Sequence, residues 1–449
     1  MTRSRICAYG TFLVWTGFCL GAASAGALNV PHTLHRGKTA EPHLTESRRA
    51  AQSKSAKSAS KSTSAVTAKA TTKTSRAKSK AAPAEKQQTR LTARGRGRAA
   101  ARRTALSGRR HRETGERFTA SSFASGNIFA GDVTAGEDPV VRQAAIDALG
   151  GMNGTAVVIN PANGRILAMV NQKLALSPGA EPCSTIKITV AMAALSEGLV
   201  TRETPVKLAG FRMNMTQALA KSNNLYFEEL GRQLGFERVR HYATQFGLGE
   251  LAGYNIEGEQ LGIYPDQALP ASQGGVGRMC SFGQGVSLTP LQLGAYVAAL
   301  ANGGTLYYLQ HPTSQEEAAK MEPKVKRTLD IAKYVPEISE GMAGAVEYGT
   351  ARRLRYNFQE LPVFGKTGTC SNNGTRLGWF AAYSSSPQGS LVTVFFLEGG
   401  RPTFGPRAAE LTGLFYKNLW DRNWFVARGQ QETAAYSAAN ATSSQQEQP

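Results

Sequence analysis

The sequence predicts an α+β fold: one antiparallel sheet flanked by helices from the two ends of a globular body, with an all-helical lobe inserted between the early and late strands. Three observations predict it. The excess charge is confined to the first quarter of the chain, which separates an arm from a body. Apolar runs of strand length flank a turn early in the body and return near its end. Between them, over residues 201–350, the apolar spacing is mostly helical.

The 449-residue chain carries 52 Lys+Arg against 32 Asp+Glu, a formal net charge of +20. Residues 1–35 contribute +2, residues 36–117 contribute +18 from 23 basic and 5 acidic residues, and residues 118–449 carry 27 of each sign. A uniformly basic folded binder of nucleic acid is therefore excluded. A wholly disordered chain is excluded by the 41% hydrophobic content, much of it outside the basic stretch.

In chain order, Arg3 and Arg5 precede an uncharged apolar run from Ile6 to Gly21, followed by Ala23-Ser24-Ala25. This predicts a secretory signal over residues 1–25, with a retained N-terminal anchor as the alternative. Phe18 beside Cys19 argues against a lipid-modified cysteine. Residues 26–118 form a basic linker of Ala, Ser, Thr, Lys and Arg. It has too few large apolar side chains to offset its ordering entropy and is expected to be disordered. Over residues 36–117 it suits an anionic envelope polymer or lipid headgroups, or serves as a solvated spacer. An exported chain is not expected to meet nucleic acid.

The body is expected over residues 119–429, with a low-complexity tail over 430–449. Val140, Val141, Ala144, Ala145 and Leu149 mark one face of a helix from Pro139 to Leu149, stopped by Gly150-Gly151. Thr155–Asn160 and Arg165–Val170 read as a hairpin around Pro161-Ala-Asn-Gly164. An almost wholly apolar helix follows from Ser184 to about Ser196. Met215–Ala220, Tyr226–Leu234 and Leu291–Asn302 are helical in pattern. Strands return at Val363–Gly365, Gly378–Ser384 and Leu391–Leu397, before a helix from Ala408 to Leu419.

Three short patterns carry the chemistry. In Ser184-Thr-Ile-Lys187, a Ser at a helix start has a Lys three residues on, on the same face. Serine needs a base, and a desolvated Lys can lose its proton near neutral pH. In Ser222-Asn-Asn224, in a loop, the hydroxyl can relay a proton. In Lys366-Thr-Gly-Thr369, at a strand edge, Gly368 can admit a substrate backbone. Each pattern alone is weak. SxxK recurs at Ser58–Lys61 and Ser75–Lys78, and SNN at Ser371–Asn373. Taken singly, Ser184 could be a helix cap with Lys187 reaching the surface, Ser222 a turn residue, and Lys366 a solvated strand end.

Their order is what matters. Ser184–Lys187, Ser222–Asn224 and Lys366–Thr369 together resemble the signature of penicillin-binding proteins and serine β-lactamases. The resemblance covers residues 138–425. It includes Ala156–Val170, Phe246-Gly-Leu-Gly249, Gly258-Glu259, Gly283-Gln-Gly285 with Leu288-Thr-Pro-Leu-Gln292, Gly349-Thr350-Ala351 and Gly378-Trp379-Phe380. It implies a D,D-peptidase/β-lactamase-like fold and a D,D-transpeptidase acting on the D-Ala–D-Ala stems of peptidoglycan, without metal or cofactor. By that resemblance Ser184 is the nucleophile, Lys187 its base and Ser222 the proton shuttle. Asn224 holds the substrate amide, and Lys366 tunes the field. Thr367 and Thr369 beside Gly368 receive the substrate carboxylate. The oxyanion hole would be the backbone N–H groups of Ser184 and Thr369. β-Lactams should leave an ester on Ser184, and the expected location is the periplasm or the outer face of the cytoplasmic membrane.

The motif spacings, 38 residues from Ser184 to Ser222 and 144 from Ser222 to Lys366, imply a trimmed helical lobe. No glycosyltransferase domain or folded pedestal is expected before residue 119. A D,D-carboxypeptidase or endopeptidase would use the same site. A non-turnover β-lactam or muropeptide sensor is a further alternative. A β-lactamase is disfavoured by the lack of a Glu-x-x-Leu-Asn segment between Ser222 and Lys366. Of five cysteines, Cys7 and Cys19 lie in the signal, and Cys183, Cys280 and Cys370 lie beside site motifs. One disulfide with one thiol, or three unpaired buried residues, are both open; a pairing would staple the rim of the site.

Overall fold

A computed structural model describes residues 119–430, Gln388 excepted. The expected signal (1–25), the basic linker (26–118) and the tail beyond Gln430 lie outside the described residues. No helix among the described residues is long and apolar enough to cross a membrane.

Five strands build the central sheet: β1 (Gly154–Asn160), β2 (Arg165–Val170), β3 (Val363–Asn372), β4 (Thr375–Ser384) and β5 (Leu391–Gly399). Their order is β2-β1-β5-β4-β3, with every neighbour antiparallel. The early hairpin thus pairs with the last strand, and the two ends of the body close around the inserted lobe. Successive strand residues face opposite ways. Val157, Ile159, Trp379, Ala381, Val392 and Val394 join the core on the lobe side. Ala156, Val158, Phe380, Ala382, Phe395 and Leu397 join the core under the terminal helices. Both faces are buried, so these strands read as continuous apolar runs.

Helix α1 (Pro139–Leu149) starts where the Asp138 side chain accepts the N–H groups of Val140 and Val141, with Pro139 in the first turn, and stops at Gly150 with φ 54°. It packs with the last long helix, α8 (Gly405–Asp421), on one side of the sheet. On the other side lie α2 (Lys187–Ser196), α3 (Met215–Ala220), α4 (Asn224–Leu234), α5 (Gly275–Phe282), α6 (Pro290–Ala301) and α7 (Val335–Glu347). The capping box of Thr289 and Gln292 begins α6, whose Leu291, Leu293 and Val297 are buried.

The predicted α+β arrangement and its inserted lobe are present. The lobe also contains two short antiparallel pairs, Val206–Leu208 with Phe211–Met213 and Thr305–Tyr307 with Val325–Thr328. Strands this short carry too few alternations to show in the sequence pattern.

Candidate active site

The nucleophile motif does not begin an α-helix. Cys183–Ile186 forms a 3₁₀ turn, and α2 starts at Lys187. A 3₁₀ turn has three residues, so positions i and i+3 eclipse. Ser184 and Lys187 therefore stack, and Lys187 Nζ lies 3.0 Å from Ser184 Oγ. The tight turn is held where Thr185 Oγ1 donates to the Pro182 carbonyl at 2.7 Å.

The second motif sits on the turn between α3 and α4. Asn223 caps α4 by accepting the Tyr226 N–H at 2.9 Å. That leaves Ser222 at φ 53°, a left-handed conformation unfavourable for a residue with a Cβ. The bend aims both polar groups of Ser222 at Lys187. Lys187 Nζ lies 2.9 Å from the Ser222 carbonyl, 3.1 Å from Ser222 Oγ and 2.6 Å from Asn224 Oδ1. From the other side, Lys366 Nζ donates to Ser222 Oγ at 2.8 Å and to the Thr367 carbonyl at 3.0 Å.

A donor count fixes what Lys187 can do. The Asn224 amide oxygen and the Ser222 carbonyl only accept. A neutral amine has two N–H bonds for these two acceptors and one lone pair left for a hydroxyl proton. Ser184 offers such a proton at 3.0 Å and Ser222 at 3.1 Å. The neutral form is favoured: burial pushes Lys187 down to about 7, opposed only by the charge of Glu228. Lys366 is fully buried, and burial followed by the charge of Lys187 holds it well below the usual lysine range. Two desolvated amines across one hydroxyl titrate as a pair, and charging both is disfavoured.

The third motif lies inside β3 rather than at its end, because β3 pairs with β4 continuously from Val363 to Asn372. Lys366 and Gly368 share the side that faces the nucleophile turn. A Cβ at Gly368 would lie 2.8 Å from the Pro182 carbonyl oxygen, 3.0 Å from Trp379 Cβ and 3.2 Å from Thr185 Cγ2. The missing side chain therefore lets β3 pack on the nucleophile turn. Thr367 and Thr369 point away from that turn. Thr367 Oγ1 shares a hydrogen bond with Thr350 Oγ1 at 2.6 Å, and Thr369 Oγ1 accepts the Gly405 N–H at 2.9 Å.

Sequence reasoning gave Thr350 no role. Its signal was the glycine before it. A Cβ at Gly349 would lie 2.0 Å from the Ala220 carbonyl oxygen, so only glycine lets this turn dock under the Ser222 loop. Thr350 N–H then donates to Ala220 O at 3.1 Å. The open question about the cysteines also closes. Cys183 and Cys370 form a disulfide with Cα atoms 5.6 Å apart, and Cys280 is a buried free thiol that burial pushes up to about 12. The bridge joins the residue before Ser184 to the residue after Thr369.

The structure thus gathers Ser184, Lys187, Ser222, Asn224 and Lys366 into one hydrogen-bonded cluster, with Thr367, Gly368 and Thr369 along its border. The family model of the penicillin-binding protein transpeptidase domain matches residues 154–412. Stage V sporulation protein D of Bacillus subtilis is 29% identical over 313 residues, covering 58% of this chain and 47% of that one. Peptidoglycan D,D-transpeptidase MrdA of Acinetobacter baumannii is 26% identical over 283 residues, covering 49% of this chain and 42% of that one. The chain spans less than half the length of these two curated relatives. The crystal structure of Pseudomonas aeruginosa PBP2 superposes with a TM-score of 0.53 at 22% identity, over 63% of this chain and 76% of that one, a likeness of fold.

Proposed function

The chain belongs to the penicillin-binding protein transpeptidase family, and we propose that it is a serine D,D-transpeptidase acting on the D-Ala–D-Ala stems of peptidoglycan. The observation that carries this reading is the position of the Lys187 amine, which saturates two obligate acceptors and keeps its lone pair within reach of the Ser184 and Ser222 hydroxyls.

In this mechanism Ser184 Oγ passes its proton to Lys187 and attacks the carbonyl between the two D-alanines. The oxyanion that forms would be received by the backbone N–H groups of Ser184 and Thr369. Ser222, bridging Lys187 and Lys366, donates its proton to the departing amine and is reprotonated through the two lysines. An amine acceptor then attacks the ester by the reverse route. A β-lactam acylates Ser184 in the same way, but its leaving nitrogen stays tethered and blocks the acceptor. No carboxylate among the described residues hydrogen-bonds to Ser184, Lys187 or Ser222, which favours a long-lived ester over rapid hydrolysis.

The test is to incubate the purified protein with fluorescent penicillin and follow both adduct and reagent. One stable label per chain on the Ser184 peptide is expected, with no sustained nitrocefin turnover. Absence of the label would refute acyl transfer, and rapid turnover would restore the β-lactamase reading.

Export to the periplasm or the outer face of the cytoplasmic membrane completes the reading. It is supported by the signal-like residues 1–25 and by a disulfide, a bond that persists mainly in oxidising compartments. Residues 26–118 would then be an arm whose charge, +18 over residues 36–117, holds an anionic envelope polymer or lipid surface near the catalytic body. Deleting residues 36–117 should abolish envelope association that is released by about 0.5 M salt. Association unchanged by the deletion would leave the arm as a spacer.

A further inference from the structure

Strand β3, which carries Lys366, is one edge of the sheet, and β2 is the other. At the β2 edge lies a cavity of about 360 Å³ that shares no residue with the catalytic cluster. Three segments distant in sequence line it: Asp138 ahead of α1, Asn160, Asn163 and Arg165 around the β1–β2 turn, and Trp424 with Arg428 beyond α8.

Its polar groups are mostly donors. Arg165 gives one N–H to the Gly136 carbonyl at 3.0 Å, and its Nε is buried without a hydrogen-bond partner. A buried donor left unpaired is costly. Asn160 Oδ1 accepts the Ala162 N–H at 3.1 Å, and Asn163 Oδ1 accepts the Arg165 N–H at 3.0 Å. Both amide oxygens are thus engaged, and both NH₂ groups remain as donors. The Asp138 carboxylate is already committed. Its Oδ1 accepts the N–H groups of Val140 and Val141 at 2.9 and 3.1 Å, and its Oδ2 accepts Trp424 Nε1 at 2.8 Å. Arg428 lies over the Trp424 ring, 5.2 Å from its centroid. Burial holds the Arg165 guanidinium below its ordinary value; the charge of Asp138 opposes this and that of Arg428 adds to it. A guanidinium keeps its proton, so the shift marks a positive charge short of partners.

The arrangement also selects the kind of anion. A carboxylate presents its acceptors in one plane, whereas these donors come from two separate segments, which suits a tetrahedral oxyanion. The cavity is larger than one such ion, and Val140, Leu167 and Ala427 give the rest of its wall an apolar surface. We propose that this cavity binds a phosphate ester with a short polyol body, of the glycerol phosphate class, held by Arg165, Arg428 and the amides of Asn160 and Asn163. Bound there, the ester joins the β1–β2 turn to the segment beyond α8 and fixes the body to a phosphate-bearing molecule at the sheet edge remote from Ser184. Nothing in this site depends on the acyl-enzyme chemistry.

The experiment titrates the full chain with glycerol 3-phosphate, and with glycerol as the uncharged control, at constant ionic strength. Tryptophan fluorescence reports on the wall formed by Trp424. The unfolding midpoint, raised by a ligand that binds only the folded state, gives the same constant without relying on that ring. A saturable response is expected with glycerol 3-phosphate and none with glycerol. The dissociation constant should rise at least about tenfold in Arg165→Gln/Arg428→Gln and at least about threefold in Arg428→Gln alone. The single variant changes a half-buried residue outside the sheet, so β2 is left intact. Both variants keep the basic arm, so phosphate taken up by the arm would not follow the substitutions. Flotation with phosphatidylglycerol vesicles separates the sources of the ester. For a lipid headgroup the double variant floats less than the unaltered protein; for a soluble ester the two float alike while free glycerol 3-phosphate still binds. No saturable response in the unaltered protein, or a dissociation constant unchanged by the double substitution, would overturn the site.

Discussion

Lys187→Met is expected to lower the second-order rate of acylation by benzylpenicillin about a thousandfold, and Ser184→Ala to remove the adduct altogether. Methionine keeps the length and apolar stem of Lys187 in a fully buried position near the Phe227 ring, so the fold should survive the change. What disappears is the lone pair 3.0 Å from Ser184 Oγ. Lys187→Arg should be as damaging, because a guanidinium keeps its proton and cannot act as a base. Combining Ser184→Ala with Lys187→Met should add nothing, since base and nucleophile act as one unit. Acylation within tenfold of normal in Lys187→Met would move the base to Lys366, working through Ser222.

The same assignment fixes a pH profile. The base form of Lys187 is the deprotonated one, and its folded value is lowered to about 7 by burial. Protonation below that value fills the lone pair and stops proton transfer. The acylation rate should therefore rise with pH through about 7 and level off above it. The residual rate in Lys187→Met should lack that midpoint.

The sequence made legible those elements whose signals are local. Helix α1 is bounded by Asp138-Pro139 and Gly150, and its predicted limits match. The hairpin of β1 and β2 was marked by apolar runs around Pro161–Gly164. Strand β3 was seen only at Val363–Gly365, because Lys366–Asn372 is polar and Gly-containing. Ladder pairing with β4, a tertiary effect, makes it a strand. The order of three motifs identified Ser184, Lys187, Ser222 and Lys366. It could not show that a 3₁₀ turn, rather than an α-helix, stacks the first two. Nor could it reveal that the Thr367 and Thr350 hydroxyls share a hydrogen bond, or which cysteines pair, since these partners are 17 and 187 residues apart.

Breaking the Cys183–Cys370 bridge, by Cys183→Ser with Cys370→Ser or by reduction, should slow acylation about 10- to 100-fold. It should also lower unfolding stability by about 4–5 kcal/mol. The stability term follows from the 187-residue separation that the bridge spans, which a chain-entropy argument places near the upper end of disulfide effects. The rate term has a separate origin. The N–H that Ser184 would offer to the oxyanion belongs to the peptide unit between residues 183 and 184. The orientation of that unit is set by the backbone of Cys183, held at φ 51° in the left-handed region. Cysteine has no intrinsic preference for that conformation, which costs of order 1–2 kcal/mol outside glycine. The bridge keeps Cys183 there by tying it to β3 one residue beyond Thr369, whose N–H would be the other donor. Without the bridge, the packing of Gly368 on Pro182 and Thr185 still joins the two segments, but Cys183 can relax and turn the Ser184 N–H away. The contacts of Lys187 with Ser222 and Asn224 lie on the far side of the nucleophile and are untouched. The slowed enzyme should therefore keep its pH midpoint near 7, whereas damage to the base would shift it. A bridge-free protein acylated at the normal rate would reduce the disulfide to a stabilising element and free the oxyanion geometry from it.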